Sequence, residues 1–152
     1  MKKAKVVFCT LAGGGLPLLQ ETCENKISYL IVDEACQVTE PACLMPFRWN
    51  PKRVILVGDQ KQLAAFTLSD YDEKTKFSRS LFERLIDGTL KPLVLNEQYR
   101  MHPAIRKFSS DIFYPKKKII DAQKILDRKF EGDDFAKIEQ TFKQRVIFFD
   151  LV

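Results

Sequence analysis

The sequence has 152 residues, a length that fits one ordinary domain or parts of two, and 45% of them are hydrophobic, enough for a core. Lys and Arg number 25 against 20 Asp and Glu, so the net charge is +5 and favours polyanionic partners only weakly. Because no apolar run approaches the ~20 residues that span a bilayer and no secretory signal follows the first residues, we expect an intracellular protein, nuclear or cytoplasmic, without a membrane partner.

Short apolar runs along the chain predict β-strands. They are Val6–Cys9, Tyr29–Val32, Val54–Val57, the weaker Leu93–Leu95, and Val146–Phe149. Most do not alternate with polar residues, which is typical of a parallel sheet covered on both faces. Helical segments lie between the runs, so the sequence predicts an α/β fold.

Two helices are predicted in the second half of the chain. Ser80 and Glu83 fit a capping box, and we expect Gly88 to end that helix in a left-handed conformation. The second helix starts at Pro103. Its predicted apolar face contains Ile105, Phe108 and Ile112.

Two stretches lack the pattern of a core element. Ser69–Lys76 is polar and charged, which predicts a surface loop. Lys116–Gln144 mixes charged patches with scattered apolar residues, which indicates a loosely packed helical insertion. The lysine triplet that begins it either contacts a phosphate backbone or forms a solvated surface.

The cysteines indicate reduced thiols rather than a metal site. They form no C-x-x-C pair, and the chain has a single histidine, so no recognisable zinc spacing is present. They are Cys9, Cys23, Cys36 and Cys43.

Asp33 and Glu34 stand directly after the predicted strand Tyr29–Val32. Open parallel sheets place their ligand crevices at the carboxyl ends of strands. In phosphoryl-transfer sites of P-loop type, an Asp there holds Mg²⁺ through water, and a neighbouring acid orients or deprotonates the attacking water. The alternative is a strand end whose carboxylates are only solvated.

Gly58 and Gln62 follow the next predicted strand, Val54–Val57. Gly58 permits a tight turn, which would bring the following polar side chains to the same edge of the sheet as Asp33 and Glu34. The amide of Gln62 both donates and accepts, so it can bridge a γ-phosphate or the attacking water to protein groups. The alternative is a glycine turn with an exposed glutamine.

Arg100 and His102 precede the helix that Pro103 is expected to start. A guanidinium held at this position is suited to a bidentate contact with phosphate. The alternative for Arg100 is a structural ion pair. For His102, a packing or capping role is favoured over catalysis.

Three stretches, in this order and spacing, resemble motifs II, III and IV of superfamily-one helicases: VDEACQVTEP, VGDQKQLAA and NEQYRMHPAIRKFSSDIFY. The most similar branch is that of the nonsense-mediated-decay helicase and senataxin. The resemblance spans residues 5 to 115, with a weaker match at Val146–Leu151. It implies a RecA-like P-loop NTPase fold, with the end of a first lobe over residues 1–88 and the start of a second over residues 89–152.

The resemblance also implies how matching residues use ATP and Mg²⁺. Asp33 would coordinate Mg²⁺ through water, Glu34 would activate the attacking water, and Gln37 would lie in the nucleotide cleft. Gln62 would couple the γ-phosphate to movement of the lobes, and Arg100 would contact that phosphate from the second lobe.

Thr10 and Gly13–Gly15 follow the predicted strand Val6–Cys9. In the resembling family, Thr10 matches a segment that lies on single-stranded RNA or DNA; a strand-end turn is the alternative. The glycines are followed by Leu16 and Pro17, and the sequence contains no G-x-x-x-x-G-K-[ST] loop to cradle phosphates. We therefore expect this chain alone to bind ATP weakly or not at all and to be inactive.

These features together predict a segment of an ATP-dependent helicase that moves along single-stranded RNA or DNA. One alternative is a truncated, non-catalytic module derived from a helicase, which binds protein or RNA; the missing phosphate loop favours it for this chain in isolation. Another is a P-loop ATPase of a different kind, such as a clamp-loader-like machine. That alternative gives no reason for the QYRMHP string.

Overall fold

The computed structural model describes residues 4–88 and 90–128. The chain divides into two compact units between Pro92 and Leu93. Helices of the first unit are α1 (Leu11–Gly14), α2 (Pro17–Cys23), α3 (Glu40–Leu44), α4 (Asp70–Lys74) and α5 (Leu81–Gly88), with 3₁₀ helices at Ala35–Gln37 and Met45–Trp49. Its strands are β1 (Tyr29–Val32) and β2 (Arg53–Leu56). The second unit contains β3 (Glu97–Gln98), α6 (Pro103–Phe113), β4 (Ile120–Asp121) and α7 (Gln123–Leu126).

Strands β1 and β2 form a parallel pair in the first unit. Tyr29 lies opposite Arg53 and Val32 lies opposite Leu56. The predicted bounds of β1 are confirmed, and β2 begins and ends one residue earlier than the sequence predicts. Strands β3 and β4 form a second, two-residue parallel pair in the second unit. The protein is therefore a mixed α/β structure with small parallel sheets.

The core of the first unit covers one face of β1. Leu30 and Val32 are buried, whereas Tyr29 and Ile31, which point to the other face, are more than half exposed. The prediction of a sheet covered on both faces is therefore wrong for the described residues. The core contains Leu19, Cys23, Leu30, Val32, Ala35, Cys43, Trp49 and Leu81.

Two predicted strands are not strands in the structure. Val6–Cys9 and Leu93–Leu95 lie outside every strand among the described residues. Phe8 and Leu93 are 93% and 91% exposed, so these apolar side chains find no packing partner there. An apolar run forms a strand only where a neighbouring strand completes its backbone hydrogen bonds. A run of four residues does not specify that neighbour. The predicted strand Val146–Phe149 lies outside the described residues.

The two predicted helices are confirmed as α5 and α6. At the start of α5, the Ser80 hydroxyl oxygen accepts the Glu83 N–H at 3.1 Å. Gly88 is the last residue of α5 and has no left-handed φ, so the expected left-handed cap at this residue is wrong. Pro103 starts α6 as predicted. The face of α6 that carries Ile105 is about half exposed rather than buried among the described residues.

The segment predicted as a surface loop contains α4. Ser69 caps this helix, since its hydroxyl oxygen accepts the Tyr71 N–H at 3.2 Å. Asp70, Asp72 and Glu73 fill the first turn, where negative charge complements the helix dipole. The described part of the predicted helical insertion contains β4 and α7, and residues 129–144 of that insertion lie outside the described residues.

The structure also bears on membranes and metals. No helix among the described residues is long and apolar enough to cross a membrane. All four cysteines are free thiols. Within residues 4–88 and 90–128, no group of three or more His, Cys, Asp and Glu side chains is arranged to hold a metal ion by itself.

Candidate functional site

The candidate site lies where β1 and β2 end. Asp33 and Glu34 follow β1 directly, and the segment Gly58–Gln62 follows β2 after one intervening residue. The Ala35 N–H donates to the Val57 carbonyl at 2.8 Å, which joins the two loops just beyond the strands. The structure therefore brings both acids and the glutamine-bearing loop to one edge of the parallel pair, as the sequence predicts.

Gly58 allows these two loops to approach closely. A Cβ at this position would lie 2.9 Å from Cys36 Sγ, 3.1 Å from the Cys36 nitrogen and 3.3 Å from the Ala35 nitrogen. The sequence predicts a tight turn here, but φ of Gly58 is not left-handed. The physical need for glycine is close backbone approach rather than an unusual backbone angle.

Glu34 adopts a left-handed backbone conformation, with φ 52° and ψ 38°. Such a conformation costs a non-glycine residue roughly 1–3 kcal/mol and persists where neighbouring contacts hold it. Two contacts do so here. The Glu34 N–H donates to Asp33 Oδ1 at 3.0 Å, and Gln37 Nε2 donates to Glu34 Oε2 at 2.9 Å. The carboxylate of Glu34 is thus exposed and oriented by an amide.

The acids at this edge fit a magnesium ion that arrives with a polyphosphate. Asp33 and Glu34 are both exposed, and Asp33 uses one carboxylate oxygen for its bond to the Glu34 N–H. Mg²⁺ takes oxygen ligands and is usually bound through one or two carboxylates together with substrate phosphates and water. Two adjacent carboxylates, with no third metal-binding side chain grouped with them in the part of the chain that the structure describes, match that mode rather than a protein cage.

Gln62 is held by Asp59 within the loop after β2. Gln62 Nε2 donates to Asp59 Oδ2 at 3.0 Å, and the Lys61 N–H donates to Asp59 Oδ1 at 3.0 Å. The side chain of Gln62 is exposed, and it lies in a turn that these two bonds to Asp59 stabilise. Sequence reasoning missed Asp59, although the D-x-x-Q spacing carries the signal because residues three apart meet within one turn.

The pKa of the Cys36 thiol reflects the negative charge at this edge. Burial is the main cause that raises the pKa of its thiol to about 11, and the charges of Asp59, Glu83 and Glu34 raise it further. The thiol is therefore neutral and unsuited to nucleophilic attack or metal binding. The same three carboxylates make the edge electronegative, which suits a cation.

Arg100 lies in the second unit, in the turn before α6. Its backbone N–H and that of Met101 both donate to Gln98 Oε1 at 2.8 Å. The Arg100 residue is exposed. His102 caps α6, since its Nδ1 accepts the Ala104 N–H at 3.2 Å, which confirms the favoured capping role.

Thr10 caps a helix instead of ending a strand. Its Oγ1 accepts the Gly13 N–H at 3.0 Å at the start of α1. The predicted strand Val6–Cys9 is absent, so the alternative of a strand-end turn at Thr10 is wrong. The contact of Thr10 with single-stranded RNA or DNA stays a prediction. A buried hydrogen bond of 3.1 Å from Trp49 Nε1 to the Gly14 carbonyl ties this glycine segment to the core.

Comparisons with known proteins agree with these motifs. Two family models, each described as an AAA domain, match residues 1–70 and 77–152. The Regulator of nonsense transcripts 1 homolog of Neurospora crassa is 40% identical over 114 residues, which cover 75% of this chain and 10% of that protein.

Two proteins of Saccharomyces cerevisiae are similar at the same level. The ATP-dependent helicase NAM7 is 40% identical over 114 residues, 75% of this chain and 11% of that protein. Helicase SEN1 is 40% identical over 108 residues, 71% of this chain and 5% of that protein. The chain thus spans about a tenth or less of the length of these relatives. It belongs to the superfamily-one helicases, in the branch of the nonsense-mediated-decay helicase and senataxin, whose AAA domains have the P-loop NTPase fold.

Proposed function

We propose that this chain is part of a longer ATP-dependent helicase that moves along single-stranded RNA or DNA in the nucleus or cytoplasm. In this proposal residues 1–88 are the end of a first RecA-like lobe and residues 89–152 are the start of a second. The observation that carries it is the shared edge after β1 and β2, where Glu34 is held by Gln37 and Gln62 is held by Asp59. The helicase names of several relatives support the same activity.

The acids at the edge divide two tasks. Asp33 would hold Mg²⁺ through water, and the bound ion would neutralise charge on the β- and γ-phosphates of ATP. Glu34 would accept a proton from the attacking water. Gln37, which donates to Glu34 Oε2, would keep that carboxylate aimed at the water from inside the nucleotide cleft.

Gln62 and Arg100 would make contacts that depend on whether the γ-phosphate is present. The Gln62 amide is held by Asp59 through its nitrogen, so its carbonyl oxygen can accept from the attacking water. Arg100 would contact the γ-phosphate from the second lobe, where its positive charge stabilises the transition state. Loss of that phosphate would then release the lobes, and repeated cycles would move the protein along the strand.

Thr10 would contact the sugar–phosphate backbone of the strand. Its Oγ1 accepts the Gly13 N–H, so the hydroxyl proton can be donated to a phosphate oxygen. Contacts of this kind carry no base sequence, as expected for a protein that moves along any strand.

Glu34→Gln in the full-length protein tests the proposed function. The glutamine keeps the shape of the side chain but cannot accept the proton, so we expect ATP hydrolysis to fall by roughly 10²- to 10⁴-fold. Nucleotide binding, measured with a fluorescent ATP analogue, should change little. Glu21→Gln, at an exposed glutamate of α2, is the matched control. Hydrolysis by Glu34→Gln at the parental rate would refute the role of Glu34.

A non-catalytic module is the second candidate for the chain on its own. The sequence contains no G-x-x-x-x-G-K-[ST] loop, and this observation favours it. Calorimetric titration of the purified chain with Mg–ATP tests the weak or absent ATP binding that both candidates expect of this chain alone. Absence of binding supports a module or an incomplete site, whereas affinity in the range of about 1 μM, equivalent to about 8 kcal/mol, would contradict both.

A further inference from the structure

The side chain of Gln98 makes four hydrogen bonds around the turn that carries Arg100. Its Oε1 accepts the N–H groups of Arg100 and Met101, both at 2.8 Å. Its Nε2 donates to the Met101 carbonyl and to Asp121 Oδ1, both at 2.7 Å. Both acceptor bonds and both donor bonds would be lost if the amide rotated by half a turn, so its orientation is fixed by its partners.

Asp121 anchors this amide to the body of the second unit. Its side chain is only 8% exposed, and Arg106 binds both of its oxygens, at 3.0 Å from Nε and 2.7 Å from a terminal nitrogen. The Arg106 hydrogen bond is the main cause that holds the pKa of Asp121 below its ordinary value, and the Gln98 bond lowers it further. Asp121 is therefore ionised and accepts from Gln98 at neutral pH.

Strand pairing explains why these residues meet. Gln98 lies on β3 and Asp121 lies opposite it on β4. Arg106 lies one turn into α6, the helix that follows the Arg100 turn. Strands β3 and β4 and helix α6 thus hold one side-chain amide, that of Gln98. This amide hydrogen-bonds the backbone N–H groups on both sides of the Arg100 Cα.

We infer that Gln98 is a positioning residue for Arg100: its amide fixes the backbone of the Arg100 turn against the Arg106–Asp121 ion pair. This inference rests on the proposed contact between Arg100 and the γ-phosphate. Gln98 itself contacts no reacting atom in this role. Gln98 acts by fixing the backbone of the turn, which sets the direction in which the Arg100 side chain extends.

A double-mutant cycle in the full-length helicase tests the inference. We expect Gln98→Ala to lower kcat for ATP hydrolysis by roughly 10- to 100-fold, the range expected when a reacting group is displaced by about 1 Å. KM for ATP should change much less. In an Arg100→Ala background, Gln98→Ala should have no further effect on kcat, because the group it positions is gone. The matched control is Gln123→Ala, since Gln123 is exposed and its side chain donates to Asp127 Oδ1, at the end of its own helix α7, at 2.9 Å.

A second arm covers the case in which Gln98→Ala fails to fold. Gln98→Glu keeps an acceptor for the Arg100 and Met101 N–H groups but sets a negative charge against Asp121. The new carboxylate also faces the Met101 carbonyl, to which the Gln98 amide nitrogen donates. Like Gln98→Ala, this variant should therefore lower kcat in the parent and have no further effect in the Arg100→Ala background. Circular dichroism melting of each variant checks that its fold is intact.

The outcomes separate the two hypotheses. If Arg100→Ala hydrolyses ATP at the parental rate, the proposed role of Arg100 fails. If Arg100→Ala is impaired but Gln98→Ala retains parental kcat, or if their effects on kcat multiply, the positioning role of Gln98 is overturned while the role of Arg100 stands. A Gln98→Glu variant that retains parental kcat while Arg100→Ala is impaired also overturns it.

Discussion

Gly58→Ala tests how tightly the two loops of the candidate site are joined. The added methyl group would lie 2.9 Å from Cys36 Sγ, closer than a Cβ can approach, and 3.1 Å from the Cys36 nitrogen, tighter than most Cβ contacts. Cys36 is buried, and the bond from the Ala35 N–H to the Val57 carbonyl fixes the loop at 2.8 Å. The methyl group can therefore be accommodated only if the backbone that follows Glu34 moves.

Overpacking of this kind typically costs about 1–3 kcal/mol, and we expect Gly58→Ala to lower the free energy of unfolding of the first unit by that amount. Urea denaturation can be followed by fluorescence of the single tryptophan, Trp49, which is 4% exposed in the core of that unit. Adding Cys36→Ala should recover part of the loss, because it removes the sulfur contact but leaves the backbone contacts.

Gly88→Ala is the matched control for this experiment. Gly88 is the last residue of α5, and a Cβ there would meet no atom within 4 Å. Alanine is favoured over glycine by about 1 kcal/mol inside a helix and by less at its last residue, so this variant should be slightly more stable than the parent. If Gly58→Ala unfolds at the same urea concentration as the parent while Gly88→Ala is stabilised, the close approach of the two loops is refuted.

Two further substitutions test contacts within the first unit that lie outside the candidate site. Trp49→Phe removes the indole donor to the buried Gly14 carbonyl, which should cost about 1–3 kcal/mol and lower the melting temperature measured by circular dichroism; an unchanged melting temperature would contradict it. Arg84 hydrogen-bonds both oxygens of Glu40, which holds the pKa of Glu40 below its ordinary value. The stability that this pair contributes is present at neutral pH and lost as the pH falls through that lowered pKa, so the melting temperatures of the parent and Glu40→Gln should converge in acid. A difference that is independent of pH would show that Glu40 acts in another way.

The sequence predicts the fold best where apolar pattern and local chemistry agree. The apolar run Tyr29–Val32 ends at the charged residues Asp33 and Glu34, and it forms a strand with those bounds. Helix α5 has both a capping serine, Ser80, and an amphipathic pattern. Val6–Cys9 has an equally apolar composition, yet it forms no strand among the described residues. The difference lies in partners, since a strand depends on a neighbour that the run itself does not encode.

The candidate site was predictable in its residues but not in its internal contacts. The carboxyl-end rule predicts that Asp33, Glu34 and Gln62 share an edge, because it depends only on strand direction. No pattern predicts the left-handed backbone of Glu34, since that angle is set by contacts with its neighbours. The roles of these residues in catalysis stay predictions.

Each of the two loops at this edge orients one exposed side chain through a hydrogen bond between an amide and a carboxylate of the same loop. In each, an amide three residues after an acid donates to it: Gln37 to Glu34 at 2.9 Å, and Gln62 to Asp59 at 3.0 Å. In the first loop the amide orients an exposed acid, whereas in the second the acid orients an exposed amide. A side chain held by its own turn is oriented before any ligand arrives, so less entropy is lost when the ligand binds. The strain stored at Glu34 is thus offset by contacts inside its own loop, and the absence of a Cβ at Gly58 allows the two loops to lie close together.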